Sequence, residues 1–411
     1  MSSEIVFIAG KDPYRQQGGH SSYVRSHARA AMALGFRPHI FFVGSENATR
    51  ECAFGVLHEV ASWARPLRPI VLPLHGPRLV GAVTSFLEMK PGPHLLHSFG
   101  FWFGIGSEVR GRLSARGCRA AHITSAYSTL RHEYLAKLRG ALGGVSLLAK
   151  GVQSVEFAVV HYLRGRYERP HLLQSDAVLV NYDSVSRIIA SEYGPNIQCR
   201  KMPYCSETAF LTGVEGPAPE GLRAFKAPEA PLIVAVARHD PRKGIVHLLE
   251  AFAQLRDSGL PFRACLVGGG PLVEAHRRFA RKLGLEGFVA IEGWVPDPFA
   301  YLKAADIFAL PSIEEGSGSV AVLEALQAGL PIVASNIDGI PEDVSESEAI
   351  LVEPGNSKAI ADALRRLLLD TELRSRLAAA ARKRYEAAFS ADVLTTSLGR
   401  VYAEFGFEKN L

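Results

Sequence analysis

Residues 309–343 read ALPSIEEGSGSVAVLEALQAGLPIVASNIDGIPED. A short apolar run over 307–310 stops at Pro311-Ser312, and two carboxylates, Glu314 and Glu315, follow. The loop Gly316-Ser317-Gly318-Ser319 then opens a helical stretch from Val320 that carries Glu324. After Gly329 and Pro331 a new apolar run begins. Strand, acidic glycine-rich loop, helix and strand make one βαβ unit, with the loop at the carboxyl end of its strand. Ligands of open α/β sheets bind at that end. Free N–H groups at a helix start suit a phosphate. Ionised carboxylates only accept hydrogen bonds, which suits sugar hydroxyls. A loop that offers both fits a nucleotide sugar.

The same grammar extends in both directions. Upstream of this unit, apolar runs at 232–237, 263–268 and 289–292 alternate with helical stretches at 244–258, 271–283 and 299–304. The run at 232–237 is almost continuously apolar, as buried parallel strands are. The first half opens with a strand over 4–9, a helix over 21–34 closed by Gly35, and a strand over 38–43. Further strands are expected at 70–74, 94–98, 120–124 and 177–181. Such alternation predicts an α/β protein with two Rossmann-like, doubly wound parallel-sheet domains. The stretch 212–230, TGVEGPAPEGLRAFKAPEA, has the proline-rich, small and charged composition of a linker. Domains are therefore expected over 1–211 and 231–390. A last helix over 391–405 follows, and the terminal segment 391–411 is expected to cross back to the first domain.

Composition narrows the class. The 411 residues are 47% hydrophobic and carry a net charge of +5, with a pI of about 8.9. That is enough apolar material for two or three domains. The basic bias suits anionic substrates or an anionic membrane surface and is too weak to argue for nucleic acid. The five cysteines (Cys52, Cys118, Cys199, Cys205 and Cys265) are irregularly spaced and form no CxxC, which fits a reducing cytoplasm. The start, MSSEIVFIAGKDPYR, reads as a first strand and not as a signal peptide. No run of apolar residues is long enough to span a bilayer.

Several residue groups could carry chemistry. Gly18-Gly19 lie between the first strand and the first helix, where glycine lets backbone approach a phosphate. A tight turn capped by Ser21 or Ser22 is the equal alternative. Arg238 and Lys243, in AVARHDPRKGIVHLLEA, flank a strand end and a helix start. Two cations there could neutralise a diphosphate leaving group, although most lysines and arginines are ordinary surface charge. Gly268-Gly269-Gly270-Pro271 makes another strand-to-helix turn, close to a nucleotide or simply packed. The chain contains no GxGxxG, so a dinucleotide fingerprint is unsupported.

Taken in order, these pieces resemble the retaining glycosyltransferases of the large family 4, with the GT-B fold. The matching motifs are Ala237-Arg238 through Lys243-Gly244, Val267 through Pro271, and Ile291-Glu292-Gly293-Trp294-Val295. They continue with Ala305-Asp306, Pro311-Ser312 through Glu324-Ala325-Leu326, and Gly329-Leu330-Pro331. Gly18-Gly19 matches the glycine loop of the first domain.

The resemblance implies a role for each matching position. Arg238 and Lys243 hold the donor diphosphate, and Glu324 accepts from ribose hydroxyls. Glu315, ahead of Glu314, faces the donor sugar. Backbone over Gly316, Ser317, Gly318, Ser319 and Val320 contacts sugar or phosphate. The backbone at Val295 meets the base, and Gly18 or Gly19 meets the phosphate from across an interdomain cleft. Closure of that cleft would keep water from the donor. The resemblance also implies retention at the anomeric carbon, with no cofactor beyond the donor. No Asp-x-Asp occurs, so Arg238 and Lys243 stand in for a metal's charge.

Two features depart from the family. Eight residues separate Glu315 from Glu324, one more than the family carries. Either the loop bulges there or the first glutamate has changed its role. The family also places a histidine just after a first-domain strand, near the transferred sugar. His122, in AAHITSAYS, is the first choice, with His97 second; a shift of three residues would put Ser125 there instead.

The first half should choose the acceptor, a sugar or a lipid-linked molecule. Phe99, Phe101, Trp102 and Phe103 could stack on a sugar or touch lipid, or fill a core. Residues 135–169 mix apolar positions with Lys137, Arg139, Lys150, Arg164, Arg166 and Arg169. That pattern reads as a solvated helix pair or as a basic amphipathic surface for peripheral contact with an anionic membrane. Against a nucleotide-sugar transferase stand two alternatives: a GT-B epimerase or phosphorylase, and a catalytically silent GT-B partner that binds sugars.

Overall fold

The computed structural model describes residues 4–15, 18–61, 72–100, 103–141, 157–211, 219–227 and 229–408. The chain forms two compact units, residues 1–210 with 391–411, and residues 211–390.

The sheet of the first unit contains β1 (Glu4–Ile8), β2 (Arg37–Gly44), β3 (Ala48–Cys52), β4 (Gly55–Ala61), β5 (His94–Phe99), β6 (Ala120–Ser125), β7 (Ala177–Val180) and β8 (Cys199–Lys201). Their spatial order is β3-β4-β2-β1-β5-β6-β7-β8. All neighbours run parallel except β3, which pairs antiparallel with β4. The order reverses between β1 and β5. At that reversal the chain leaves β1 for the Gly18 loop and the helix Gly19–Ala33.

The second sheet contains β9 (Leu232–Val236), β10 (Arg263–Val267), β11 (Val289–Gly293), β12 (Ile307–Leu310), β13 (Ile332–Ser335) and β14 (Ala349–Val352). They lie in the order β11-β10-β9-β12-β13-β14, and every pair is parallel. Here the reversal falls between β9 and β12. The loops leaving those two strands therefore share one crevice at the carboxyl edge, where ligands of such sheets bind.

The apolar strands explain themselves. Leu232, Ile233, Val234 and Ala235 are buried, as are Ile307, Phe308, Ala309 and Leu310. Helices cover both faces of these strands, so no side can be polar. The terminal helix Ala391–Glu404 packs on the helix Gly19–Ala33 of the first unit.

Several expectations need correction. The strand expected at 70–74 is absent from 72 onwards, because Leu72–Glu88 is a helix; residues 70 and 71 lie outside the described residues. The hairpin of β3 and β4 and the short β8 were unforeseen. The β3 sequence, ATREC, alternates half-buried with exposed positions and so lacks an apolar run.

Candidate active site in the second unit

Two loops meet at the β9/β12 reversal. After β9 the chain passes Ala237 and Arg238 into a short turn, Pro241–Lys243, capped by the Asp240 side chain, which accepts from the Arg242 N–H. Gly244 follows at a φ of 62°, and a Cβ there would overlap the Pro311 carbonyl oxygen. Only glycine lets the two loops approach this closely. After β12, Ile313 and Glu314 donate their N–H groups to the Arg242 carbonyl, at 2.7 and 3.1 Å. The acidic loop is thereby laced to the cationic one.

The side chains complete the joint. The Lys243 ammonium pairs with the Glu315 carboxylate, whose side chain is only 3% exposed. The fully buried Ser312 hydroxyl donates to the other Glu315 oxygen. Removing either charge would strand its partner, at a cost far larger than a surface ion pair carries. The structure thus brings Lys243 and Glu315 together. Arg238 points elsewhere: its side chain is 70% exposed and lies 3.8 Å from Asp240. Glu314 is buried beside Glu315.

Glu324 sits in the second turn of the helix Val320–Gln327 and is 91% buried. Ser319 occupies the cap position of that helix with extended backbone, and its hydroxyl makes no cap hydrogen bond. Gly316 has a φ of 82°, so glycine is required within the loop.

Sequence reasoning passed over Asp338. Its Oδ2 accepts from the N–H groups of both Glu315 and Gly316, at 2.7 and 2.9 Å. The following residue ties the same loop, since Gly339 donates to the Ser317 carbonyl. The available signal was Asp338-Gly339, a turn pair placed just after a buried strand.

The glycine loop 268–270 folds over β9's exit. Gly268 and Gly270 leave no room for a Cβ against the backbones of Ala237 and His239. His239 donates its N–H to the Gly269 carbonyl at 2.9 Å, and its buried ring meets His276 at 3.0 Å. Burial holds His239 at about 4. Val295 follows in the turn after β11, half-buried next to the exposed Trp294.

In the first unit, Gly18 caps the helix Gly19–Ala33 at a φ of 121°, with open space where a side chain would go. Gly18 and Gly19 are exposed, while Ser21 and Ser22 are buried inside the helix. The serines therefore do not cap it.

The expectation for His122 is corrected. It is the third residue of β6, fully buried, with its ring under the helix Phe103–Ala115. Its Nε2 meets the Ser98 hydroxyl at 2.9 Å and its Nδ1 the Ser107 hydroxyl at 3.2 Å. A Cβ at Gly106 would overlap the ring. Burial, reinforced by Arg110 and His171, pushes its pKa down to about 3. An enclosed neutral imidazole with both nitrogens occupied is a packing group. His97 is equally buried, between Tyr402 Oη at 3.0 Å and Ser125 Oγ at 2.8 Å. Phe99 belongs to the core. Phe101, Trp102 and Lys150, with the side chains of Phe103, Lys137 and Arg139, lie outside the described residues.

A family model described as glycosyl transferases group 1 matches residues 223–384. The chain is 31% identical over 406 residues to a GDP-mannose-dependent alpha-(1-6)-phosphatidylinositol monomannoside mannosyltransferase of Mycobacterium tuberculosis, covering 96% of this chain and 97% of that protein. It is 34% identical over 186 residues to a putative colanic acid biosynthesis glycosyltransferase, WcaL, of Escherichia coli, covering 43% of this chain and 46% of that one. Sucrose-phosphate synthase from Thermosynechococcus elongatus shares the fold with a TM-score of 0.74 at 21% identity, over 98% of this chain and 99% of that one. Anabaena HepE in complex with UDP and glucose gives 0.69 at 17% identity, over 97% and 99%.

Proposed function

This chain belongs to the glycosyl transferases group 1 family, and from that membership we propose that it is a retaining mannosyltransferase using GDP-mannose and an anionic, lipid-linked sugar acceptor. The observation that carries the donor and acceptor is the match along nearly the whole chain to a GDP-mannose-dependent enzyme of a phosphatidylinositol monomannoside. A match confined to the second unit would speak for the donor side alone.

The residues of the β9/β12 crevice take the following roles. Arg238, exposed and loosely held, reaches the donor diphosphate. Lys243, fixed by Glu315, adds the second positive charge as the bond to the anomeric carbon breaks and negative charge collects on the leaving diphosphate. Glu324 accepts from ribose hydroxyls, Val295 lines the base, and the backbone of Ser317, Gly318, Ser319 and Val320 faces sugar and phosphate, with Gly316 turning the loop while its N–H is held by Asp338. In the first unit by itself, the exposed Gly18-Gly19 backbone at the start of its helix suits a phosphate. Fixed charges act best when they need no rearrangement in the transition state.

Acceptor chemistry has support in the net charge of +5 and in one surface of the first unit. Phe157 and Tyr162 are 41% and 61% exposed, and Arg166 and Arg169, a few residues on in the chain, are exposed too. Aromatic and basic side chains together suit peripheral contact with an anionic lipid surface. Arg164 is taken out of that set, because it donates to the Glu192 carbonyl and lies over the Tyr193 ring. Among the described residues no helix is long and apolar enough to cross a membrane.

The test is calorimetric titration with GDP-mannose, UDP-glucose and ADP-glucose, followed by transfer from labelled GDP-mannose to vesicles containing phosphatidylinositol monomannoside. Selective binding of GDP-mannose and a labelled lipid product are expected. Preference for another nucleotide would refute the donor, and labelling only of water-soluble acceptors would refute the lipid.

A further inference from the structure

Asp338 is the only non-glycine residue with positive φ, 48°, among the described residues. Side chains rarely adopt that conformation, and aspartate and asparagine tolerate it best. Such a residue persists where the surroundings hold it, and it marks a place where geometry has a use. Here the use is visible. Asp338 is exposed, it leaves the sheet after β13, and its Oδ2 receives two successive N–H groups, those of Glu315 and Gly316. Two consecutive amides converging on one anion form the kind of concavity that binds phosphates elsewhere.

The contact fixes the loop at its turning point. Glu315 is held on the backbone side by Asp338 and on the side-chain side by Lys243 and Ser312. Two residues later, Gly339 holds the Ser317 carbonyl. The N–H groups of Glu315 and Gly316 are thus already occupied, and the loop backbone beyond them, from Ser317 to Val320, is set in place from the β13 side.

We infer that Asp338 is a positioning residue for donor transfer: its carboxylate clamps the backbone of Glu315 and Gly316 and so presets the loop that faces the donor. The inference rests on the donor role proposed for that loop. A clamp of this kind acts on turnover more than on nucleotide affinity, because the nucleotide contacts assigned to Glu324 and Val295 lie outside the clamped segment. The amide oxygen of asparagine can accept the same two hydrogen bonds and tolerates the same backbone, whereas alanine and glycine cannot accept them. Glycine does relieve the positive φ.

The experiment combines hydrogen exchange with kinetics on Asp338→Ala, Asp338→Asn and Asp338→Gly in the full chain, using GDP-mannose and phosphatidylinositol monomannoside vesicles. In Asp338→Ala, peptides covering 312–319 should exchange faster while β9 and β12 stay protected. Its kcat should fall about tenfold, the scale of a lost hydrogen bond to a charged group. The KM for GDP-mannose should stay within about twofold. Asp338→Asn should recover protection and most of kcat. Asp338→Gly should lose kcat like alanine while melting no lower than alanine, which separates the clamp from simple stability. Unchanged exchange over 312–319, or an asparagine variant as slow as alanine, would overturn the inference while the wild type still transfers mannose. A wild type that neither binds nor consumes GDP-mannose would overturn the reading beneath it, and the inference with it.

Discussion

The two units share a fold plan and use their polar residues in opposite ways. In the second unit the strands at the reversal are apolar throughout, and the residues proposed for chemistry, Arg238, Lys243, Glu315 and Asp338, lie in loops beyond the carboxyl ends of strands. In the first unit polar groups penetrate the strands themselves. His94, His97 and Ser98 on β5 and His122, Thr124 and Ser125 on β6 are all buried. They join strand to strand and sheet to helix, as in Ser98 with His122 and His97 with Tyr402. A buried polar group without a partner is costly, and all of these but His94, whose Nε2 has none, have one. The difference teaches that a polar residue in a strand of this protein does not by itself signal chemistry.

The sharpest way to break this comparison is to cut the joint in the second unit. Lys243→Ala should lower kcat by about 10²- to 10³-fold, as losing one preorganised charge at a leaving group does. It should also lower the melting temperature, because Glu315 is left buried and unpaired. The double variant Lys243→Met with Glu315→Gln should regain stability and not turnover. Steady-state kinetics and thermal melts on both variants decide it. Full turnover in the double variant would mean that the pair is purely structural.

Legibility followed the same division. The second unit could be read because its strands are unbroken apolar runs and its loops carry glycine, proline and charge. The expected strand at 307–310 and helix at 299–304 match the structure to the residue. Arg238, Lys243, Glu315 and Gly316 could be placed in loops beyond strand ends, and Glu324 on the helix that follows. The pairing of Lys243 with Glu315 could not, because they lie 72 positions apart and only the folded approach of their loops, at Gly244 and the Arg242 carbonyl, joins them. Asp338 was missed since its role is a backbone contact 22 to 23 residues distant. In the first unit His122 was preferred although the expected strand, 120–124, already held it in its middle; the alternative three residues on, Ser125, is the last residue of β6. Three residues along a strand carry a side chain to the opposite face and about 10 Å away.

Acid should expose the contrast next. Burial holds His27 at about 4 and His122 at about 3, below the ordinary value near 6.5. Each is neutral in the native state. Below pH ~6.5 the unfolded chain takes up protons that the native chain refuses, so stability is complete above that pH and declines towards pH 4. At pH 5 the loss is about 2 kcal/mol for a residue such as His27. The first unit buries His27, His39, His94, His97 and His122, and the second only His239 and His276 among the described residues. Hydrogen exchange at pH 5 and pH 7, corrected for intrinsic rates, should show β5 and β6 losing protection before β9 and β12. Equal loss in both sheets, or earlier loss in the second, would contradict the comparison.

The smallest effect tests the reassignment of His122 itself. His122→Asn retains a polar group at the site but cannot reach both the Ser98 and Ser107 hydroxyls, which lie on opposite sides of the ring. Stability should drop by about 1–3 kcal/mol, the cost of leaving a buried hydroxyl without its partner. Turnover below the melting transition should stay within about twofold, since nothing in the transition state would change. A sugar-facing histidine would behave in the reverse way, with a normal melt and a collapsed kcat. A denaturation curve and one saturating rate measurement therefore separate the two roles. The outcome bears on every buried histidine in the first sheet, because His97 has the same burial and the same doubly occupied ring.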